Sequence, residues 1–201
     1  MFDARIRPLI DPPLNRLGAR LAAAGVTADA VTWAGFAIGM TGCLAIAFGA
    51  YGLALAFILV SRLADGLDGA VARATVKTDR GGFLDIVLDF IFYGAVPVAF
   101  AWADPAANAL AAATLLLTYF ANGSSFLAYA IMAEKRGAES NAQGEKNLFY
   151  LAGLAEGFET ILVTCLWCLF PTAFAPLAYL YAALVAASAA ARIAFAARTL
   201  D

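Results

Sequence analysis

Four aspartates stand where acidic groups could do chemistry. Asp65 and Asp68 are three residues apart and Asp85 and Asp89 four apart, so on helices each pair shares one face. Their surroundings are apolar. Leu63-Ala64-Asp65-Gly66-Leu67-Asp68-Gly69-Ala70-Val71-Ala72-Arg73 precedes a short polar bridge, and Gly81-Gly82-Phe83-Leu84-Asp85-Ile86-Val87-Leu88-Asp89-Phe90 follows it. A carboxylate in such sequence is costly unless something positive meets it. With Arg73 as one positive group, four carboxylates leave about three negative charges unmet, and divalent metal ions would meet them. The chain has no histidine, which leaves Asp and Glu for acid–base work and hard cations as partners. Two divalent ions held between carboxylates suit phosphoryl transfer, because they offset pyrophosphate charge and stabilise both attacking and leaving oxygens.

The spacing D-x-x-D-G-x-x-A-R, seven further residues, then G-x-x-x-D-x-x-x-D is met in full by Asp65, Asp68, Gly69, Ala72, Arg73, Gly81, Asp85 and Asp89. It resembles the signature of the CDP-alcohol phosphotransferases, integral membrane enzymes of phospholipid synthesis. Eight fixed positions over 25 residues are a specific signal, although they span only about an eighth of the chain. The resemblance implies a CDP-linked lipid as donor, usually CDP-diacylglycerol, and two divalent ions, Mg²⁺ or Mn²⁺. It implies that Asp65, Asp68 and Asp85 bind metal and that Asp89 contributes to the metal site and acts as general base. Asp65, Gly69, Ala72 and Arg73 would contact the cytidine diphosphate. The acceptor alcohol would lose a proton, attack the lipid-side phosphorus and release CMP. A homodimer is implied by the resemblance alone. One departure is visible: the first span of this family often follows a Pro-Asn pair, where this chain reads Thr27-Ala28-Asp29-Ala30.

Composition sets what must position these residues. Of 201 residues, 63% are hydrophobic, whereas a soluble domain is nearer half apolar. An all-α polytopic membrane protein follows, one domain over residues 1–201, with six spans behind an N-terminal interfacial helix. The net charge of −2, without a basic tail, gives no indication of nucleic acid binding. Residues 2–23 alternate Arg5, Arg7, Arg16 and Arg20 with Ile and Leu and are broken by Pro12-Pro13, the pattern of a segment lying on the membrane surface. Nothing in it reads as a signal peptide. Thr27 or Asp29 caps the first span, 30–50, in which Gly35, Gly39 and Gly42 have the spacing of close helix contact. Further spans are expected at 53–74, 82–103, 107–133, 147–170 and 173–197. Cys165 and Cys168 sit in an apolar run and read as packing rather than as a redox pair.

Six spans put both termini on one side, and all thirteen Lys and Arg residues then fall there or at span ends facing it. The positive-inside rule makes that side cytoplasmic, which places the protein in the inner membrane with its active site facing the cytoplasm. At about 1.5 Å per residue, Asp89 lies roughly 13 Å along its helix from Arg80 and Asp65 a similar distance from Arg73, so the carboxylates can share one depth. Gly69 and Ala72 present almost no side chain beside them, leaving clearance for a bulky ligand.

A second polar group falls on later spans. Asn122, Ser124 and Ser125 lie on the fourth, and Glu156, Glu159 and Thr160 on the fifth, at a depth where they could meet. Intramembrane glutamates demand partners, either an acceptor's hydroxyls or amine or each other and the fourth helix. A phosphorylated acceptor would instead need basic ligands, for which Arg136 and Arg192 are available with Lys135, Lys146 and Arg198. Glycerol phosphate, inositol phosphate and other polyols lead as acceptors, and the pocket is placed at Asn122, Arg136, Glu156, Glu159 and Arg192. A non-enzymatic ion carrier using the same carboxylates is the competing class.

Overall fold

The computed structural model describes residues 3–136 and 157–200, and every regular element in them is a helix. These are α1 (Asp3–Ala23), α2 (Ala28–Ala47), α3 (Tyr51–Ala74), α4 (Asp79–Ala103), α5 (Pro105–Lys135), α6 (Gly157–Leu169) and α7 (Phe174–Thr199), the last preceded by a 3-10 turn at Pro171–Ala173. Their ends follow from capping chemistry. The Thr27 hydroxyl accepts the Ala30 amide at 3.2 Å, Thr78 accepts that of Gly81 at 3.0 Å, and Asp104 accepts that of Ala107 at 3.1 Å with Pro105 opening the helix behind it. Gly25 at φ 82° and Gly49 at φ 75° turn the chain between α1, α2 and α3, a conformation that side chains with a Cβ resist.

Four of the described helices are long and apolar enough to cross a membrane: Ala28–Ala47, Asp79–Ala103, Pro105–Lys135 and the stretch Pro171–Thr199. The long helix α3 is set apart from them by Arg62, Asp65, Asp68 and Arg73. The first half of the expected fifth span, with Glu156, lies outside the described residues. One expectation changes: α1 is unbroken at Pro12-Pro13. A proline removes its own amide donor, but the bonds on either side can carry the helix on.

The bundle is held by close backbone approach. α2 packs along α3 and also meets α4, α4 meets α5, α5 meets α7, and α1 lies on α3. A Cβ on Gly35 would fall 2.9 Å from the Ala64 Cβ, and one on Gly39 would fall 2.6 Å from the Ser61 Oγ. These small residues therefore serve the close contact that their spacing predicted, the means by which helices associate where lipid competes equally for apolar surface. An aromatic core joins α4, α6 and α7. Phe100 stacks on Phe174 at 4.5 Å between ring centroids, with Trp167 5.2 Å from Phe174 and fully buried. Cys43 and Cys168 are buried and all three cysteines are free, in keeping with a packing role.

Candidate active site

The acidic residues come from one hairpin. α3 carries Asp65 and Asp68 near its C-terminal end, and α4 carries Asp85 and Asp89 just beyond its N-terminal cap, so the short 75–78 connection places all four at the same end of the bundle. Carboxylate oxygens of Asp65, Asp68 and Asp85, one from each, lie within 4.8 Å of one another. Three such oxygens at this separation fit a hard divalent cation, which takes oxygen ligands at about 2.0–2.6 Å. Asp68 is the most enclosed, 6% exposed, and its Oδ2 accepts the Thr32 hydroxyl of α2 at 2.6 Å. That bond fixes the carboxylate's rotation, as outer partners of metal ligands commonly do.

Asp89 is placed differently. Its Oδ1 accepts the Arg62 guanidinium at 2.7 Å, and the same Arg62 nitrogen lies 3.5 Å from Asp65. The Arg62 side chain is only 7% exposed and lies over the Phe92 ring at 4.3 Å. The counter-charge of the cluster is therefore Arg62 and not Arg73, which corrects the charge balance drawn from sequence. Helical geometry explains it: Arg62 precedes Asp65 by three residues and shares its face. Arg73 turns instead toward α1, donating from Nε and Nη2 to the Asn15 Oδ1 at 3.1 and 2.9 Å.

A cavity of about 640 Å³ opens beside the carboxylates, between the N-terminal ends of α2 and α4 and the C-terminal end of α3. Asp68, Gly69, Ala72, Arg73, Gly81 and Asp85 all line it, so the small residues do leave room next to the acidic cluster. Asp65 and Asp89 face a narrow adjoining cleft with Arg62 and Ser61. Thr27, Ala28 and Asp29 also line the cavity, which means the stretch that departs from Pro-Asn still borders the site. An Arg80–Asp29 ion pair at 3.3 Å spans its rim.

The residues expected to form an acceptor pocket are only partly brought together. Arg192, 4% exposed, donates to the Asn122 carbonyl at 3.0 Å, to its side-chain Oδ1 at 2.8 Å and to the Ser125 hydroxyl at 3.3 Å. Arg136 lies elsewhere, its guanidinium donating to the backbone carbonyls of Thr199 and Leu200 where α5 and α7 end. Glu159 is half-buried on the first turn of α6, while Glu156 lies outside the described residues. A second cavity, of about 690 Å³, is lined by Asn122, Ser124, Tyr93, Tyr119, Thr160 and Tyr181 among apolar side chains, with the Thr160 and Tyr181 hydroxyls 2.7 Å apart. Arg62, Thr32 and Asn15 are the partners that sequence reasoning missed. Only Arg62 carried a readable signal, its three-residue offset from Asp65.

Fold and site define a helical membrane protein built around a cation-competent acidic centre. The chain belongs to the CDP-alcohol phosphatidyltransferase family, whose family model matches residues 25–193. It is thus an enzyme of that class, a membrane transferase of phospholipid synthesis, and the carrier alternative gives way to it. Inner membrane protein YnjF of Escherichia coli is 47% identical over 184 residues, 92% of this chain and 89% of that protein. Archaetidylinositol phosphate synthase of Pyrococcus horikoshii is 39% identical over 87 residues, 43% of this chain and 46% of that one. The crystal structure of Mycobacterium tuberculosis phosphatidylinositol phosphate synthase with CDP-DAG bound matches with a TM-score of 0.71 at 22% identity, covering 90% of this chain and 92% of that one; the likeness is one of fold.

Proposed function

We propose that this enzyme transfers a phosphatidyl group from CDP-diacylglycerol to the hydroxyl of a polyol, releasing CMP. The observation that carries the reading is the three-carboxylate set of Asp65, Asp68 and Asp85 beside a cavity lined by Gly69, Ala72 and Arg73. Asp65, Asp68 and Asp85 would hold Mg²⁺ or Mn²⁺, two ions as the resemblance implies. When bound, such ions offset negative charge on the pyrophosphate and on the leaving phosphate. Gly69 and Ala72 let the nucleotide approach the α3 backbone, and Arg73, held by Asn15, offers positive charge to phosphate oxygens. Asp89 accepts the proton of the acceptor hydroxyl, the resulting alkoxide attacks the lipid-side phosphorus, and the bond to CMP breaks. Asp89 serves as base in this reading and also contributes to the metal site, as the resemblance implies.

The acceptor is assigned to the second cavity, where Asn122, Thr160 and Tyr181 offer hydroxyl and amide partners and Arg192 lies against Asn122. Inositol phosphate is the first alcohol to test. Two similar proteins bear inositol phosphate in their names, and Arg192 donates to Asn122 on this wall. The membrane arrangement proposed with it is six spans in one domain, with the basic end, both termini and the active site facing the cytoplasm. Purified protein with Mg²⁺ or Mn²⁺ and CDP-diacylglycerol, offered inositol phosphate, glycerol phosphate, inositol and serine in turn, should release CMP with a polyol acceptor. Release with serine alone would overturn the acceptor assignment. Asp89→Asn should abolish turnover in folded protein, and retained turnover would overturn the role of Asp89 as base.

A further inference from the structure

α1 carries two kinds of contact on one helix. Its inner face is pressed on the acidic segment of α3. Leu14 is 8% exposed and lies over Gly66, where a Cβ would fall 3.0 Å from the Leu14 Cδ1, and Gly18 is seated on Ala70. From that seat Asn15 reaches Arg73. The Asn15 Oδ1 accepts from Nε at 3.1 Å and from Nη2 at 2.9 Å, which occupies one edge of the guanidinium. The other nitrogen, Nη1, stays beside Gly69 on the cavity wall, and a Cβ on Gly69 would fall 3.3 Å from it. Arg73 is exposed, so burial does not fix its side chain; among the described residues, Asn15 is the group that holds the fork.

The outer faces of α1 have another character. At about 100° per residue, Ile10 and Leu17 share a stripe on one flank of Leu14, and Arg16 and Arg20 share a stripe beyond it. Ile10 is 44% exposed and Leu17 43%, and both arginines are exposed. Depth follows from the inner contacts. Gly18 meets Ala70 four residues before the end of α3, and Ala22 lines the cavity, so both arginines stand at the carboxylate end of the bundle. An apolar stripe bordered by guanidinium groups at that level is complementary to lipid tails capped by anionic head groups.

We propose that α1 is a receptor for anionic phospholipid head groups and that Asn15 passes its state to the nucleotide pocket. Head groups that engage Arg16 and Arg20 hold α1 against α3, and Asn15 then keeps Arg73 with Nη1 toward the cavity. On an uncharged surface α1 is held less firmly, and Arg73 loses its partner whenever the helix lifts. Asn15 is thus a positioning residue for Arg73, and nucleotide binding responds to the charge of the surrounding membrane. This inference rests on the reading of Arg73 as a nucleotide contact.

Binding of CMP to the full-length protein in nanodiscs, at saturating Mg²⁺, tests this. In an equal mixture of phosphatidylcholine and phosphatidylglycerol the wild type should bind CMP about 3- to 10-fold tighter than in phosphatidylcholine alone. The sign is informative, because an anionic surface repels CMP and non-specific electrostatics would weaken binding. The Arg16→Gln/Arg20→Gln double variant should match wild type in phosphatidylcholine and lose the gain in the mixture. Asn15→Ala should bind weakly in both, and Asn15→Asp, which keeps an acceptor for the fork, should restore the gain. No gain in the wild type, or a gain that survives in the double variant, would overturn the proposal. A gain that survives in Asn15→Ala, or is missing from Asn15→Asp, would overturn the role of Asn15. Inorganic phosphate added to phosphatidylcholine nanodiscs should not tighten CMP binding, and tightening there would overturn the lipid surface as the ligand. Failure of the underlying reading would show separately, as Arg73→Ala binding CMP as tightly as the wild type in the mixture.

Discussion

The acidic residues have different partners in the structure. Asp68 is oriented by a hydroxyl and Asp89 by a guanidinium, so two chemically identical side chains meet different demands. Loss of the first partner is testable on its own: Thr32→Val keeps the shape of the side chain and removes the donor to Asp68. Mn²⁺ affinity should fall about tenfold with the melting temperature in detergent nearly unchanged, measured by titration and thermal unfolding. Chelation gives a broader check, since excess EDTA should stop CMP release and added Mg²⁺ or Mn²⁺ should restore it. The four aspartates and the small residues beside them were legible in sequence because spacing on a helix fixes their face. Their partners were not. Asn15 lies 58 residues from Arg73 and Thr32 lies 36 from Asp68, and no local pattern encodes a meeting at that range.

At the scale of helices, function depends on how closely backbones approach. α1 reaches the cavity beside the carboxylates through small-residue contact: a Cβ on Gly18 would fall 2.7 Å from the Ala70 Cβ and 2.8 Å from its backbone carbon. Backbone cannot yield as a flexible side chain can, so Gly18→Leu should lift α1 from α3 and break the Asn15–Arg73 contact. The expected result is a KM for CDP-diacylglycerol raised about 3- to 10-fold, and Asn15→Ala should reproduce that rise without the structural insult; steady-state kinetics of both variants check it. Gly39 serves a different contact, facing Ser61 and Phe92, so Gly39→Leu should destabilise the fold by roughly 1–3 kcal/mol, read as a lower melting temperature. The glycine spacing and the Thr27 cap were readable in sequence. Continuity of α1 through two prolines was not, because proline is a strong local breaker and the packing of Leu14 and Gly18 on α3 becomes visible only in three dimensions.

Across the whole molecule, polarity is divided between two ends. The aromatic cluster of Phe100, Trp167 and Phe174 closes one, while the carboxylates, their cavity and the Arg136 contacts with the end of α7 occupy the other. The proposed orientation predicts that, in a chain whose three native cysteines are replaced by alanine, Lys77→Cys is labelled by impermeant thiol reagents only from the cytoplasmic side and Thr172→Cys only from the opposite side. The same side for both would overturn six spans. Sequence reached this asymmetry through the distribution of its basic residues, but it could not reveal that α3 is matched to its neighbours group by group. That matching bears on how the chain enters the bilayer. On its own, α3 would bring three charged side chains, Arg62, Asp65 and Asp68, into hydrocarbon without the Thr32 and Asp89 contacts that receive two of them. The Thr32 and Asp89 contacts therefore favour burial of α3 together with α2 and α4, so the acidic hairpin is expected to enter lipid already paired.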